Sequence, residues 1–416
     1  MEYIQNCLRK DITKMNSEKK VIFILGGSEL QVPAIKKAKE RGMYVFVLDY
    51  NPEAVGRRYA DTFLEISTID IDAVYAAAIR YSPDYIITST SDMPVRTVAW
   101  VNEKLGKRSG ISYANSLCVT DKALMRQRME RKSVPIPAYY VAHSFSEFMH
   151  YIPKMGNKFI IKPADNAASR GVCLIEKKNV NEYIRIYEYS KKYARNGVVL
   201  LEEYMEGAEV SVEIYVVEGK PHVIAITDKY ITKIPFFVEL GHTEPSQLSA
   251  DVQNEVKKIA YEAVKAVEIQ NGPAHVEIKI TSNGVKLVEI AARLGGDFIT
   301  SRLVPLSTGV DMVGATFDNL QGKRVDLKSN IHQGAAIRFL TGNDGIICKI
   351  EGIQEARKMK GIQEVVLYKR EGDRVTIPHN SGDRLGHIIG IGKNALEAEK
   401  NVERALDTIH IYYADL

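Results

Sequence analysis

Glu277 and Glu289 lie on either side of Asn283-Gly284 in the stretch Pro273–Gly296, PAHVEIKITSNGVKLVEIAARLGG. Val, Ile and charged residues alternate there with period two, which predicts a β-hairpin turning at Asn283-Gly284. The alternation puts His275, Glu277 and Lys279 on one face of the first strand. It puts Leu287, Glu289, Ala291 and Arg293 on one face of the second. Two carboxylates then converge beside a guanidinium, and such a pair repels unless a cation lies between its members. A hard divalent ion suits the place, because Mg2+ takes one or two carboxylates and completes its shell with nucleotide phosphate oxygens. A solvated hairpin edge is the plainer alternative.

Phosphates need positive groups and a cover. No GxxxxGK[ST] occurs, so a Walker-type loop is excluded. The chain offers instead Lys122, after a break in pattern, and Lys162, at the end of the apolar run FIIKP. A lysine on an apolar strand is costly when buried unpaired, so its ammonium should meet an anion. Beside it runs a loop of small and polar residues, Asp165–Gly171, whose backbone N–H groups suit a phosphate cover. No Ser-His-Asp or Cys-His arrangement stands out.

These groups require a scaffold of strands. VIFILGGSELQVPAIKKAKERGMYVFVLD reads as a strand, a Gly26-Gly27 turn, a helix with Val32, Ile35 and Ala38 inward, and a second strand ending at Asp49. A third strand ends in the turn Thr88–Asp92, and the rhythm implies an open parallel sheet. Thr120 is the expected N-cap of a helix that contains Lys122 and runs to Lys132. Further strands are expected at Val172–Ile175, Val198–Leu201 and Glu209–Tyr215, with a helix over Asp251–Val267 before the hairpin. The C-terminal part shows strands near Ala335–Phe339, Glu364–Tyr368 and Leu385–Ile391. A last helix follows, with the stripe Ala398, Val402, Ala405, Leu406 and Ile409.

Composition sets limits. The chain has 416 residues, 45% hydrophobic and 26% charged, as in an ordinary soluble multidomain protein. A net charge of +4 with dispersed Lys and Arg gives no footprint for nucleic acid. Cys7, Cys118, Cys173 and Cys348 lack CxxC spacing, so neither a disulfide framework nor a zinc site is expected. No apolar run reaches membrane-spanning length, and the first residues lack the apolar centre of a secretory signal. The expectation is a cytoplasmic protein with no membrane partner.

Taken together, Lys122, IIKPADNAASRGV with Lys162, LLEEYMEGAEVSVE and HVEIKI…VKLVEIAARLGG resemble the ATP-grasp superfamily in order and spacing. The resemblance implies an α/β and α+β architecture. A short extension (1–18) would precede a Rossmann-like domain (19–118). An ATP-grasp domain (119–325, with a mobile subdomain at about 135–205) and a small C-terminal α+β cap (326–416) would follow. It also implies ATP and Mg2+, or Mn2+ in its place, as cofactors. Lys122 and Lys162 would contact the α- and β-phosphates, and Ser169, Arg170 and Gly171 would cover them. Backbone groups of Glu202, Glu203 and Met205 would meet adenine, and Glu209 the ribose. Glu277 and Glu289 would hold the metal, and Arg293 would face the transferred phosphate or a substrate carboxylate.

Within the superfamily, EIAAR and FVELGHTEP resemble the bacterial L-amino-acid ligases. That implies a substrate ammonium on Glu239 and a phosphate or intermediate contact at His242. Gly295, Gly296, Asp297 and Arg302 are expected around the acceptor. Many members carry Asn where Ala291 stands, which leaves the second Mg2+ position in question. Small carboxylates and amines are the implied substrates, and a homodimer is common in the family. Three alternatives stay open: a carboxylase or carbamoyl-phosphate-synthetase-like enzyme, an NAD-dependent oxidoreductase using Gly26, Gly27 and Asp49, and a non-catalytic nucleotide-binding protein.

Overall fold

The computed structural model describes residues 19–166, 170–176, 180–232 and 237–414. Ser169 and the extension at 1–18 lie outside them. Strands β1 (Val21–Leu25), β2 (Tyr44–Asp49), β3 (Thr62–Glu65) and β4 (Tyr85–Thr88) pair in parallel in the order β3-β2-β1-β4. All five residues of β1 are buried, because helices cover both faces of a parallel sheet. Helix Val32–Glu40 buries Val32, Ile35 and Ala38, the expected stripe, together with Ala34.

This sheet keeps its own polar groups occupied. The Gly27 N–H donates to Asp49 Oδ2 at 2.7 Å, and the buried Gln31 amide donates to the Thr90 and Ser91 hydroxyls. The acid that would take a nicotinamide ribose is bonded to its own turn. Gln31 packs against Gly26, at the place where a third glycine would let the helix approach.

A second sheet is antiparallel: β5 (Tyr139–Ala142), β6 (Lys158–Pro163), β7 (Cys173–Glu176) and β8 (Val199–Glu203), in the order β5-β8-β6-β7. It has a separate core of Phe148, Phe159, Ile161 and Tyr187 among others. Before it runs helix Lys122–Arg131, capped one residue later than expected. The Asp121 carboxylate accepts from the N–H of Ala123 and Leu124, while the Thr120 hydroxyl is engaged with Ser116 and Arg96.

The remaining strands are β9 (Ala208–Val217), β10 (Lys220–Ile231), β11 (Glu239–Glu244), β12 (Gly272–Thr281), β13 (Gly284–Ala291), β14 (Gly334–Leu340), β15 (Gly345–Glu351), β16 (Ile362–Leu367), β17 (Arg374–Val375), β18 (Gly386–Gly392) and β19 (His410–Ala414). Eight of them form one continuous antiparallel sheet, β13-β12-β9-β10-β11-β14-β18-β16. The last three, β17-β15-β19, form a small sheet that the sequence pattern does not reveal. Helix Ala250–Ala266 packs on one face of the long sheet, in the core that holds Val212, Val276 and Leu287.

The hairpin β12–β13 differs from the expected one in two details. Thr281 pairs with Gly284, so the two-residue turn is Ser282-Asn283, and Gly284 (φ 103°) starts the second strand. Glu277 lies opposite Glu289, but the next pair is Ile278 with Leu287, so Val288 is the extra residue of a β-bulge. Leu287 therefore turns into the core, not onto the carboxylate face, while Val288 and Glu289 both line the cleft.

Candidate active site

Backbone register carries the site. Three rows of side chains cross the long sheet. The first runs His242, Lys229, Glu209, Lys279; the second Thr227, Ser211, Glu277, Glu289; the third Ala225, Glu213, His275, Ala291. Facing them across a cleft of about 980 Å³, open mouth included, stand the ends of β6 and β8.

One end of this cleft is rich in cations. Lys122 Nζ reaches Glu289 Oε1 (2.9 Å) and the Asn166 carbonyl (2.8 Å). Lys162 Nζ lies 2.6 Å from Glu202 Oε2, and Arg126 grips the same carboxylate through Nε (2.8 Å) and Nη2 (3.2 Å). Glu202 is buried, yet the Arg126 and Lys162 charges outweigh desolvation and hold its acidity at about 2. Lys162 is pushed the other way: burial lowers it, and Glu202 cannot restore it against the Arg126 and Lys122 charges. The two shifts describe one fact, a carboxylate shared between two cations. Three cations face two carboxylates here, and the excess calls for an anion.

The other end is rich in carboxylates. Lys229 Nζ sits 2.8 Å from Glu209, 2.8 Å from Glu277 and 3.8 Å from Glu239. Burial works against this ammonium, but the three carboxylates raise it well above the usual lysine value. Lys279 adds a second contact to Glu209 at 3.2 Å. Three carboxylates share two ammonium groups. Beneath them His275 donates to Glu213 (2.5 Å) and lies 3.6 Å from Glu277; burial disfavours its charge, but Glu213 raises it to about 9.

Arg293 is held by Asp92 Oδ1 (2.6 Å), a residue of the loop after β4, and the Leu294 N–H donates to the Ser89 carbonyl. Glu239 accepts from the Ser381 hydroxyl at 2.8 Å. His242 is a buried strand residue, not a loop histidine, with Nε2 3.3 Å from Asp297 Oδ2. Asp297 is gripped by Arg384, so its carboxylate faces protein groups.

Among the other expected residues, Glu203 turns its side chain to Lys286 (2.7 and 2.9 Å), so its backbone is what remains for adenine. Met205 and Arg170 line the cleft. Gly171 has φ 79°, and any Cβ there would strike Pro163 and Tyr193 at 2.9 Å. Gly295 packs on Glu213, and Gly296 faces Leu30 of the first sheet's turn. Arg302, expected around the acceptor, pairs with Glu364 of β16.

Arg126, Lys229, Asp92 and Arg384 were not anticipated. Arg126 had a faint signal, one helical turn after Lys122. Lys229, alternating with Thr227 in an apolar strand, repeated the logic applied to Lys162. Asp92 and Arg384 had none, since their partners are 201 and 87 residues away.

The groups present suit a Mg2+ nucleotide. Glu277 and Glu289, opposite each other, are hard oxygen donors beside the cation excess that a polyphosphate would offset. No cluster of three or more His, Cys, Asp or Glu with metal-site geometry occurs among the described residues. No helix among them is long and apolar enough to cross a membrane.

Residues 155–301 match the family model of the ATP-grasp domain, and residues 338–414 match L-amino acid ligase C-terminal domain 2. The L-arginine-specific L-amino acid ligase of Bacillus subtilis is 23% identical over 345 residues, 81% of this chain and 82% of that protein. Phosphoribosylamine–glycine ligase of Methanococcus maripaludis is 22% identical over 426 residues, 95% of each chain. The crystal structure of an L-amino acid ligase from Bacillus licheniformis superposes with a TM-score of 0.81 at 20% identity, covering 95% of this chain and 99% of that one. These matches give the chain an ATP-grasp domain followed by L-amino acid ligase C-terminal domain 2.

Proposed function

We propose that the chain is an ATP-dependent carboxylate–amine ligase that works through an acyl phosphate and takes amino acids as substrates. One observation carries the reading: a cation-rich end and a carboxylate-rich end share a single cleft, joined where Lys122 meets Glu289. The first end suits the ATP phosphates, and the second suits a divalent ion and a substrate ammonium.

A carboxylate is a poor acyl donor because its leaving group is oxide. Attack of its oxygen on the γ-phosphorus of ATP gives an acyl phosphate, from which an amine displaces phosphate to form the amide. Lys122 and Lys162 hold the polyphosphate, and the backbone at Glu202–Met205 holds adenine. Glu209, released from Lys229, takes the ribose hydroxyls. Mg2+ or Mn2+, held by Glu277 and Glu289, would supply neutralising charge at the β- and γ-phosphates. Arg293, kept in place by Asp92, presents its guanidinium to the transferring phosphoryl group. Glu239 receives a substrate ammonium in place of the Ser381 hydroxyl. Arg170, which lines the cleft, and Gly171 would lie over the phosphates and help keep water from the acyl phosphate.

The test is phosphate release with ATP and Mg2+ over pairs of amino acids, with Mn2+ substituted in parallel, followed by product mass. A product lighter than its two substrates by one water is expected. Phosphate release that needs bicarbonate and no amine would overturn the reading.

A further inference from the structure

We propose that Arg384, reaching in from the C-terminal segment, is a positioning residue that acts through Asp297 to fix the tautomer of His242 and ready it for the incoming amine. The proposal rests on the ligase reading above and deepens it.

The geometry is specific. Arg384 donates Nη1 and Nη2 to the two Asp297 oxygens at 2.7 Å each, and Nε to the Ser381 carbonyl at 2.8 Å. Its guanidinium lies 3.7 Å from the Phe339 ring centroid. A buried pair of this kind is a weak device for stability, since well-packed apolar residues serve the fold as well. The local backbone points the same way: Asp297 (φ 49°) and Phe298 (φ 62°) both occupy the left-handed region, which side-chain-bearing residues disfavour. Strain accepted at two consecutive residues places one carboxylate between Arg384 and His242.

Asp297 is ionised beside Arg384, so it only accepts hydrogen bonds. The proton of neutral His242 therefore sits on Nε2, 3.3 Å from Asp297 Oδ2. That leaves Nδ1 as a bare lone pair, and it is buried without a partner among the described residues. A lone pair cannot receive a fully deprotonated phosphate oxygen, but it can receive an N–H. His242 is thus matched to the amine, contrary to the phosphate contact expected from sequence. Its surroundings agree: Lys229 is its register partner, the Phe339 ring stands edge-on at 6.5 Å, and Arg338 binds its carbonyl.

The step balances. The substrate ammonium gives one proton to Nδ1, and Asp297 stabilises the imidazolium. The freed nitrogen lone pair forms the C–N bond, and the carbonyl C–O bond breaks with its electron pair leaving on phosphate. The second N–H proton leaves with phosphate, and the imidazolium returns its proton to solvent.

The two half-reactions separate the possibilities. Scrambling of the ATP β,γ-bridge oxygen with the carboxylate alone reports acyl-phosphate formation; amide formation reports both halves. In Arg384→Met and Asp297→Asn, scrambling should persist at the wild-type rate while amide formation falls on the order of 10²–10⁴-fold. Arg384→Lys should recover part of it. With 15N-histidine labelling, His242 should show a lone-pair Nδ1 in the wild type and the other tautomer in Asp297→Asn. Equal losses in both half-reactions, or a wild-type amide rate in Arg384→Met, would overturn the proposal. Wild-type protein that never scrambles would instead refute the ligase reading, and the same tautomer measurement, repeated in Arg384→Met, would still decide the role of Arg384: an unchanged tautomer there would overturn it.

Discussion

The two ends of the cleft solve opposite problems with the same residue types. Around Lys162, two cations share Glu202 and a third, Lys122, stands near, so positive charge is in excess. Around Lys229, three carboxylates crowd one ammonium, with Lys279 against Glu209 and His275 near Glu277, so carboxylates set the character of this end. Each concentration of like charge is tolerated because internal partners offset most of it until a ligand takes their place. The lesson is that the protein holds its site with ion pairs it can exchange. On the proposed reading, Lys229 holds a place among carboxylates that would take other cations, and Glu289 pairs with a lysine that a phosphate would claim.

Removing the shared carboxylate should break this arrangement most completely. Glu289→Gln should lose amino-acid-dependent phosphate release by about 10³-fold while the fold persists; wild-type turnover with unchanged Mg2+ dependence would contradict the metal assignment. Lys229→Met, which strands buried carboxylates, should cost about 3 kcal/mol of stability in urea unfolding. Mg2+ should restore more of that loss than it adds to the wild type, and an equal response would place the ion elsewhere. Lys162→Met should weaken ATP by about 1.5–3 kcal/mol in calorimetry, whereas Lys279→Met should leave the phosphates held.

A pH series probes the cation-rich end more gently. Glu202 titrates near 2 in the folded chain against an ordinary 4.5, so its contribution is complete above 4.5 and lost as pH falls toward 2. Glu202→Gln should flatten that part of the stability profile, and an unchanged slope would count against the pairing. The smallest effect belongs to Arg302→Ala. That pair with Glu364 is partly exposed, so no more than about 1 kcal/mol is expected, with little change in substrate preference.

Period-two alternation was enough to bring Glu277 and Glu289 onto neighbouring strands, though the shifted turn and the bulge at Val288 are what set them opposite; an apolar strand was enough to mark Lys162 as a buried lysine in need of an anion. The parallel first sheet was readable for the same reason, since it rests on local pattern, whereas the ATP-grasp architecture came from motifs that resemble that superfamily in order and spacing. Other features were not local. The bulge at Val288 depends on how two strands fit, and it turned Leu287 away from its expected face. Arg126 and Glu202 meet across 76 residues, and Lys229 meets Glu277 across 48; only topology creates those neighbours. Arg302 and Glu364 meet across 62 residues, and a lone arginine carries no record of such a partner.

Strand pairing also acts as a ruler. Glu289, Glu277, Glu209, Lys229 and His242 belong to five successive strands of one sheet, β13 to β11. Adjacent strands keep a spacing of about 4.8 Å, so the separation between the groups proposed to hold the metal and the amine is written into backbone hydrogen bonds. Side-chain substitution can retune what each group recognises without altering that spacing. New substrate preferences can therefore arise in the connecting segments while the reach from phosphoryl donor to amine stays constant.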